Sequence, residues 1–121
     1  MITEDYVSFE TAKLLKEKGF IENCLMYYNK VGDLVEESYK FNWNFQTIDY
    51  SAPTLQMAMK WLREVHNIDI FPWRLIGKGI YSCAIFNSNT GQDLSSDKDF
   101  PSEKYEETAE EAIKYCLENL I

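Results

Sequence analysis

The stretch from Pro53 to Asn87 constrains the fold more than any other part of the sequence. Its first half carries one apolar stripe at helical spacing. The stripe consists of Leu55, Ala58, Met59, Leu62 and Val65. The second half alternates in hydrophobicity on both sides of a glycine-rich turn that begins at Gly77, which is typical of a β-hairpin. The stretch therefore predicts an amphipathic helix followed by two antiparallel strands.

Two further stretches predict helices. One follows Ser8, whose hydroxyl can accept from the first free amides, and ends at Gly19, which adopts a left-handed conformation without strain. The other follows Thr108, which with Glu111 fits a capping box. The three predicted helices span about residues 9–18, 54–66 and 109–120.

Short apolar runs bounded by turn residues predict the strands. Pro72 lacks an amide donor and places its strand at an edge or interrupts it. Aromatic rings alternate with polar residues over residues 39–45, which fits a strand or a loop on the core, because Asn is a poor strand former. We expect an α+β fold, with the three helices packed on a small, mostly antiparallel sheet in a single domain over residues 1–121. The predicted strands span about residues 24–28, 34–36, 68–76 and 80–87.

The net charge of −8 disfavours direct contact with nucleic-acid phosphates or anionic membranes. No apolar run approaches the length of about 18 residues that a membrane-spanning helix needs. The acidic start at Glu4 and Asp5 is not the pattern of a signal peptide. Three widely spaced cysteines without a CxxC pair indicate small buried side chains in a reducing cytoplasm.

The sequence lacks the residue sets that catalysis and metal binding need. His66 is the only histidine and is expected at a helix end, where a structural role is typical. Ser82 and Cys83 lie in no nucleophile motif. The acidic residues of loop 87–102 lack the glycine and the closing glutamate of a calcium loop in register. We therefore expect no enzyme activity, no catalytic residue, no cofactor and no metal.

Aromatic residues make up 15% of the chain, which is enough to supply a recognition surface as well as a core. Trp and Arg are the residues most enriched at the energetic centres of protein interfaces. Trp61 belongs with the helix stripe and is assigned to the core. The predicted recognition surface consists of Trp43, Phe45, Trp73 and Arg74.

Three segments carry a resemblance, namely residues 7–20, residues 52–66 and the closing residues 108–121. They resemble small uncharacterised proteins encoded by gut anaerobes and by their prophages and mobile elements. The ending Glu107–Ala112 is also similar to the end of HicB-type antitoxin domains. The resemblance implies no activity; it favours a cytoplasmic accessory role in phage or mobile-element biology.

Two functions fit these observations. The first is a non-enzymatic protein–protein interaction module in the cytoplasm, which binds a protein partner or self-associates through an edge strand or an aromatic face. The alternative is a nucleic-acid-associated regulator or acidic decoy, which needs a basic patch or a line of carboxylates on the surface.

Overall fold

The structure, a computed structural model, describes all 121 residues and contains three helices and five strands in two antiparallel sheets. The predicted α+β class is therefore confirmed, with the strands divided between two sheets. The helices are α1 (Phe9–Glu17), α2 (Leu55–His66) and α3 (Tyr105–Asn119). The strands are β1 (Cys24–Tyr28), β2 (Leu34–Phe41), β3 (Tyr50–Ser51), β4 (Ile68–Leu75) and β5 (Ile80–Asn87), and a 3₁₀ turn covers Trp43–Phe45.

The chain divides into two compact units, residues 1–57 and residues 58–121, with the boundary inside α2. The prediction of a single domain over residues 1–121 stays a prediction. None of the helices combines the length and the apolar composition that crossing a membrane requires.

Helix α1 has the two caps that the sequence predicts. The Ser8 hydroxyl accepts from the Thr11 amide at 3.2 Å. At the other end Gly19 adopts a φ of +88°, and the Phe20 amide donates to the Leu15 carbonyl at 3.0 Å. This arrangement is a Schellman motif, in which the residue after the glycine folds back on the last turn. Phe20 is fully buried as a result.

The first unit holds a three-stranded sheet in the order β2-β1-β3. Strand β2 continues to Phe41, well beyond the predicted residues 34–36, and its register against β1 shifts between Cys24 and Met26. Over residues 39–45 the chain is therefore first a strand and then the 3₁₀ turn. The two-residue strand β3 is too short to leave a periodic pattern in the sequence.

The second unit is built on the hairpin of β4 and β5, whose predicted extents are confirmed to within a residue. All eight residues of β4 pair with β5 without a break, from the pair Ile68 and Asn87 to the pair Leu75 and Ile80. One face of the hairpin packs against α3. The buried side chains of this face are Ile68, Ile70, Cys83 and Ile85.

Pro72 does not interrupt β4. It lies opposite Cys83, whose amide points away from β4 and donates to the Asp99 carbonyl at 2.8 Å. In an antiparallel ladder both residues of such a pair direct their amides outwards. The amide that Pro72 lacks would therefore lie on the outer side of β4, and the ladder loses no hydrogen bond.

Residues 92–102, which we call the strap, run along the other edge of β5. The Leu94 amide donates to the Ile85 carbonyl at 2.8 Å. Tyr81 and Ser102 exchange two further bonds of 2.6 and 3.0 Å. The predicted long loop thus covers the backbone edge of β5, which would otherwise present free donors and acceptors.

Helix α3 begins at Tyr105, four residues before the predicted start at residue 109. The predicted capping box of Thr108 and Glu111 is wrong, because Thr108 is a fully buried residue inside the helix. Its hydroxyl donates to the carbonyl of Phe100 in the strap and does not accept from an amide of the first turn. The hydroxyl therefore connects the strap to α3.

Replacing Thr108 with valine is expected to lower the free energy of unfolding by about 1–3 kcal/mol, because the Phe100 carbonyl loses its donor. Glu111→Ala is the matched control. Glu111 is exposed, so its replacement is expected to change the same quantity by less than about 0.5 kcal/mol. Urea denaturation of both variants measures the difference. A larger loss of unfolding free energy in Glu111→Ala than in Thr108→Val would indicate that the capping box forms after all.

Candidate recognition surfaces

Trp43 is inside the first unit and is 6% exposed. Its indole Nε1 donates to the Cys24 carbonyl at 2.7 Å, and its ring packs on Tyr27 and Phe41 at centroid distances of 4.5 and 5.0 Å. The prediction placed this side chain on a recognition surface. The structure instead uses it as a packing residue, so its ring is not available to a partner.

Phe45 is 79% exposed, although it lies in the same 3₁₀ turn. The following loop also exposes Ile48. The ammonium group of Lys16 donates to the carbonyls of Gln46 and Asp49, at 2.6 and 2.8 Å, and so fixes this loop on α1. The first unit therefore presents a small, well-anchored apolar loop.

Trp73 and Arg74 are neighbours in β4, and their side chains lie on opposite faces of the hairpin. Trp73 is 44% exposed. The guanidinium group of Arg74 lies over the Tyr81 ring at 5.8 Å, on the face that carries the core residues. These two predicted residues consequently do not share one surface.

The exposed face of the hairpin, which we call the open face, is the main apolar surface of the second unit. Phe71 is 61% exposed at its centre, two residues from Trp73. Phe71 was not among the predicted site residues, although the inward positions of Ile68 and Ile70 required it to point outwards. The apolar side chains of the open face are Phe71, Trp73, Leu75, Ile80, Ala84 and Phe86.

One end of the open face is acidic. Asp69 pairs with Phe86 across β4 and β5, and Phe86 in turn forms a bridge with Asp93 of the strap. Paired residues direct their side chains to the same face, so the two carboxylates flank the Phe86 ring. Hydrogen bonds from the hydroxyl and the amide of Ser95, at 2.6 and 2.8 Å, lower the pKa of Asp93 below its ordinary value.

A cleft of about 620 Å³ lies between the strap and α3. Phe100 and Tyr115 meet in it at 5.5 Å, and Lys98 lies 6.0 Å from the Tyr115 ring. Negatively charged carboxylates and positively charged ammonium groups surround these rings. The lining includes no histidine, cysteine, serine or threonine, and its ionisable side chains are carboxylates, lysines and one tyrosine.

The remaining reactive groups are three buried cysteines and the partly buried His66. Burial raises the pKa of Cys24 to about 11 and that of Cys116 to about 12, and it also raises the pKa of Cys83. These thiols stay protonated at neutral pH and are weak nucleophiles. Burial lowers the pKa of His66, whose ring packs edge-on against Trp61 at 4.8 Å. No three His, Cys, Asp or Glu side chains converge on a common metal position.

No protein-family model, no curated protein and no solved structure matches the chain. The resemblances to mobile-element proteins and to HicB-type domains therefore stay predictions.

Proposed function

We propose that this chain is a non-enzymatic protein-binding module that docks a partner protein on its open face. The observation that carries the proposal is the exposure of Phe71 and Trp73, side by side on a sheet whose other face is core. Burying a side chain of this kind contributes about 1.5–3 kcal/mol. Exposed apolar side chains that adjoin one another mark interaction sites more often than single ones do.

The rigidity of the hairpin supports the proposal. Its ladder is unbroken over eight pairs, α3 packs on its inner face, and the strap covers its β5 edge. A partner that docks on such a surface orders few groups on binding. Most of the energy gained by burying the two rings then contributes to affinity.

A cytoplasmic location is part of the proposal. All three cysteines are free and buried, as expected for a chain that works in a reducing compartment. The link to phage or mobile-element biology rests on the sequence resemblance alone.

Peptides selected from a random displayed library against the immobilised chain test the proposal. We expect the selected peptides to lose at least tenfold in affinity for the Phe71→Ser variant, because the centre of the open face is then polar. Phe45→Ser, which removes a still more exposed ring from the first unit, is the control and is expected to bind them unchanged.

Two outcomes would contradict the proposal. Selected peptides that bind wild type and Phe71→Ser equally would show that the open face is not the docking site. Binding of a single-stranded oligonucleotide, without any peptide binding, would favour the nucleic-acid-associated regulator instead.

A further inference from the structure

Building on the proposed function, we propose that the open face binds an extended protein segment with an arginine or lysine at one end and apolar side chains along it. The basic side chain would lie on Asp69 and Asp93, and the apolar side chains on Phe71 and Trp73.

The charge of the open face is unbalanced within the chain. None of the β4 and β5 side chains on this face is basic, because Arg74 lies on the other face. The Asp69 carboxylate has no hydrogen-bond or ion-pair partner within the chain, and the Asp93 carboxylate accepts hydrogen bonds only from Ser95. The acidic end is therefore available for a cation from outside, and the net charge of −8 assists the approach of a basic partner.

The spacing favours an extended partner. Strand residues rise by about 3.3 Å each, so Phe71 lies about 7 Å from Asp69 along β4, and Trp73 about 13 Å. In an extended segment these are the positions two and four residues from the basic residue, and all three side chains then lie on one face. The pattern expected in the partner is basic-x-apolar-x-apolar.

The small exposed area of the two central rings favours a short segment over a second copy of this chain as the occupant. A fully exposed aromatic side chain contributes about 150–250 Å², so the exposed fractions of Phe71 and Trp73 amount to roughly 200 Å². A stable dimer buries about 800 Å² on each partner. A second open face would also bring no cation to the acidic end, because none of its β4 and β5 side chains is basic.

Trp73 allows a direct measurement, because the other two tryptophans, Trp43 and Trp61, are only 6% and 4% exposed. Two synthetic peptides, Arg-Thr-Leu-Thr-Val-Thr and Glu-Thr-Leu-Thr-Val-Thr, both capped at their ends, are titrated while the tryptophan emission is recorded. We expect the arginine peptide to shift the emission to shorter wavelength and to bind at least tenfold more tightly than the glutamate peptide. The Trp73→Phe variant is expected to lose the spectral shift.

The double variant Asp69→Asn, Asp93→Asn keeps the size of both side chains and removes the negative charge. We expect it to bind the two peptides with equal affinity, whereas Glu36→Gln in β2 is the control that leaves the tenfold ratio unchanged. Equal binding of both peptides by wild type would overturn the charge preference and leave the proposed function standing. The charge preference would also be overturned if neither synthetic peptide binds and the peptides selected from the library lack a basic residue.

A different occupant would be evident from light scattering. If wild type forms a dimer and Phe71→Ser is a monomer, the open face binds a second copy and the basic segment is excluded. If selected peptides bind wild type and Phe71→Ser equally, both the proposed function and this inference fail. If only the charge preference is absent, the proposed function stands.

Discussion

Replacing Trp43 with alanine is expected to lower the free energy of unfolding by about 3–5 kcal/mol, a large part of the roughly 5–15 kcal/mol that stabilises a domain. The side chain is buried between Tyr27 and Phe41, and the variant leaves a cavity there. It also removes the donor of the Cys24 carbonyl. Urea denaturation followed by circular dichroism measures the loss.

The control for this prediction is Phe45→Ala, in the same 3₁₀ turn. Because the Phe45 ring is exposed, its removal is expected to change the free energy of unfolding by less than about 0.5 kcal/mol. Similar losses in the two variants would mean that Trp43 is not a packing residue and that the predicted recognition surface needs to be reconsidered.

Replacing Ile85 with alanine is expected to cost about 2–5 kcal/mol, because its side chain is fully buried on the inner face of the hairpin. Phe71→Ala is the comparison on the outer face of the same ladder. It removes a larger side chain, but one that is mostly in water, and is expected to cost less than about 1 kcal/mol. Thermal and urea unfolding of both variants measure the two effects.

The order of these two losses is the decisive result. A hairpin covered on both faces would lose more stability from Phe71→Ala, since phenylalanine is the larger residue. That outcome would show that the open face is covered, and the proposed docking site would then be wrong.

Local chemistry determines most of the fold, and for this reason much of it could be predicted. The Ser8 cap and the left-handed Gly19 act through bonds or torsions within a few residues. The start of α3 could not be predicted in the same way. The hydroxyl of Thr108 has a partner in the strap, and a contact with Phe100 has no signature in the helix sequence itself.

The recognition surface was harder to predict because exposure depends on distant contacts. Trp43 and Phe45 have the same local pattern, and only the contact of Trp43 with β1 distinguishes them. Trp73 was correctly identified as a residue that could be exposed, whereas Phe71 was overlooked. The alternation that begins at Ile68 already assigned both rings to one face, but it did not show that the face would be left open.

The position of Pro72 has a consequence for how the chain behaves when it is concentrated. Hairpins with exposed aromatic side chains are prone to form cross-β fibrils, which grow by adding strands to an unpaired edge strand. Here proline removes one donor from the outer border of β4, and the strap occupies that of β5. Both borders of the hairpin therefore offer fewer free backbone groups to an added strand than an unprotected hairpin would.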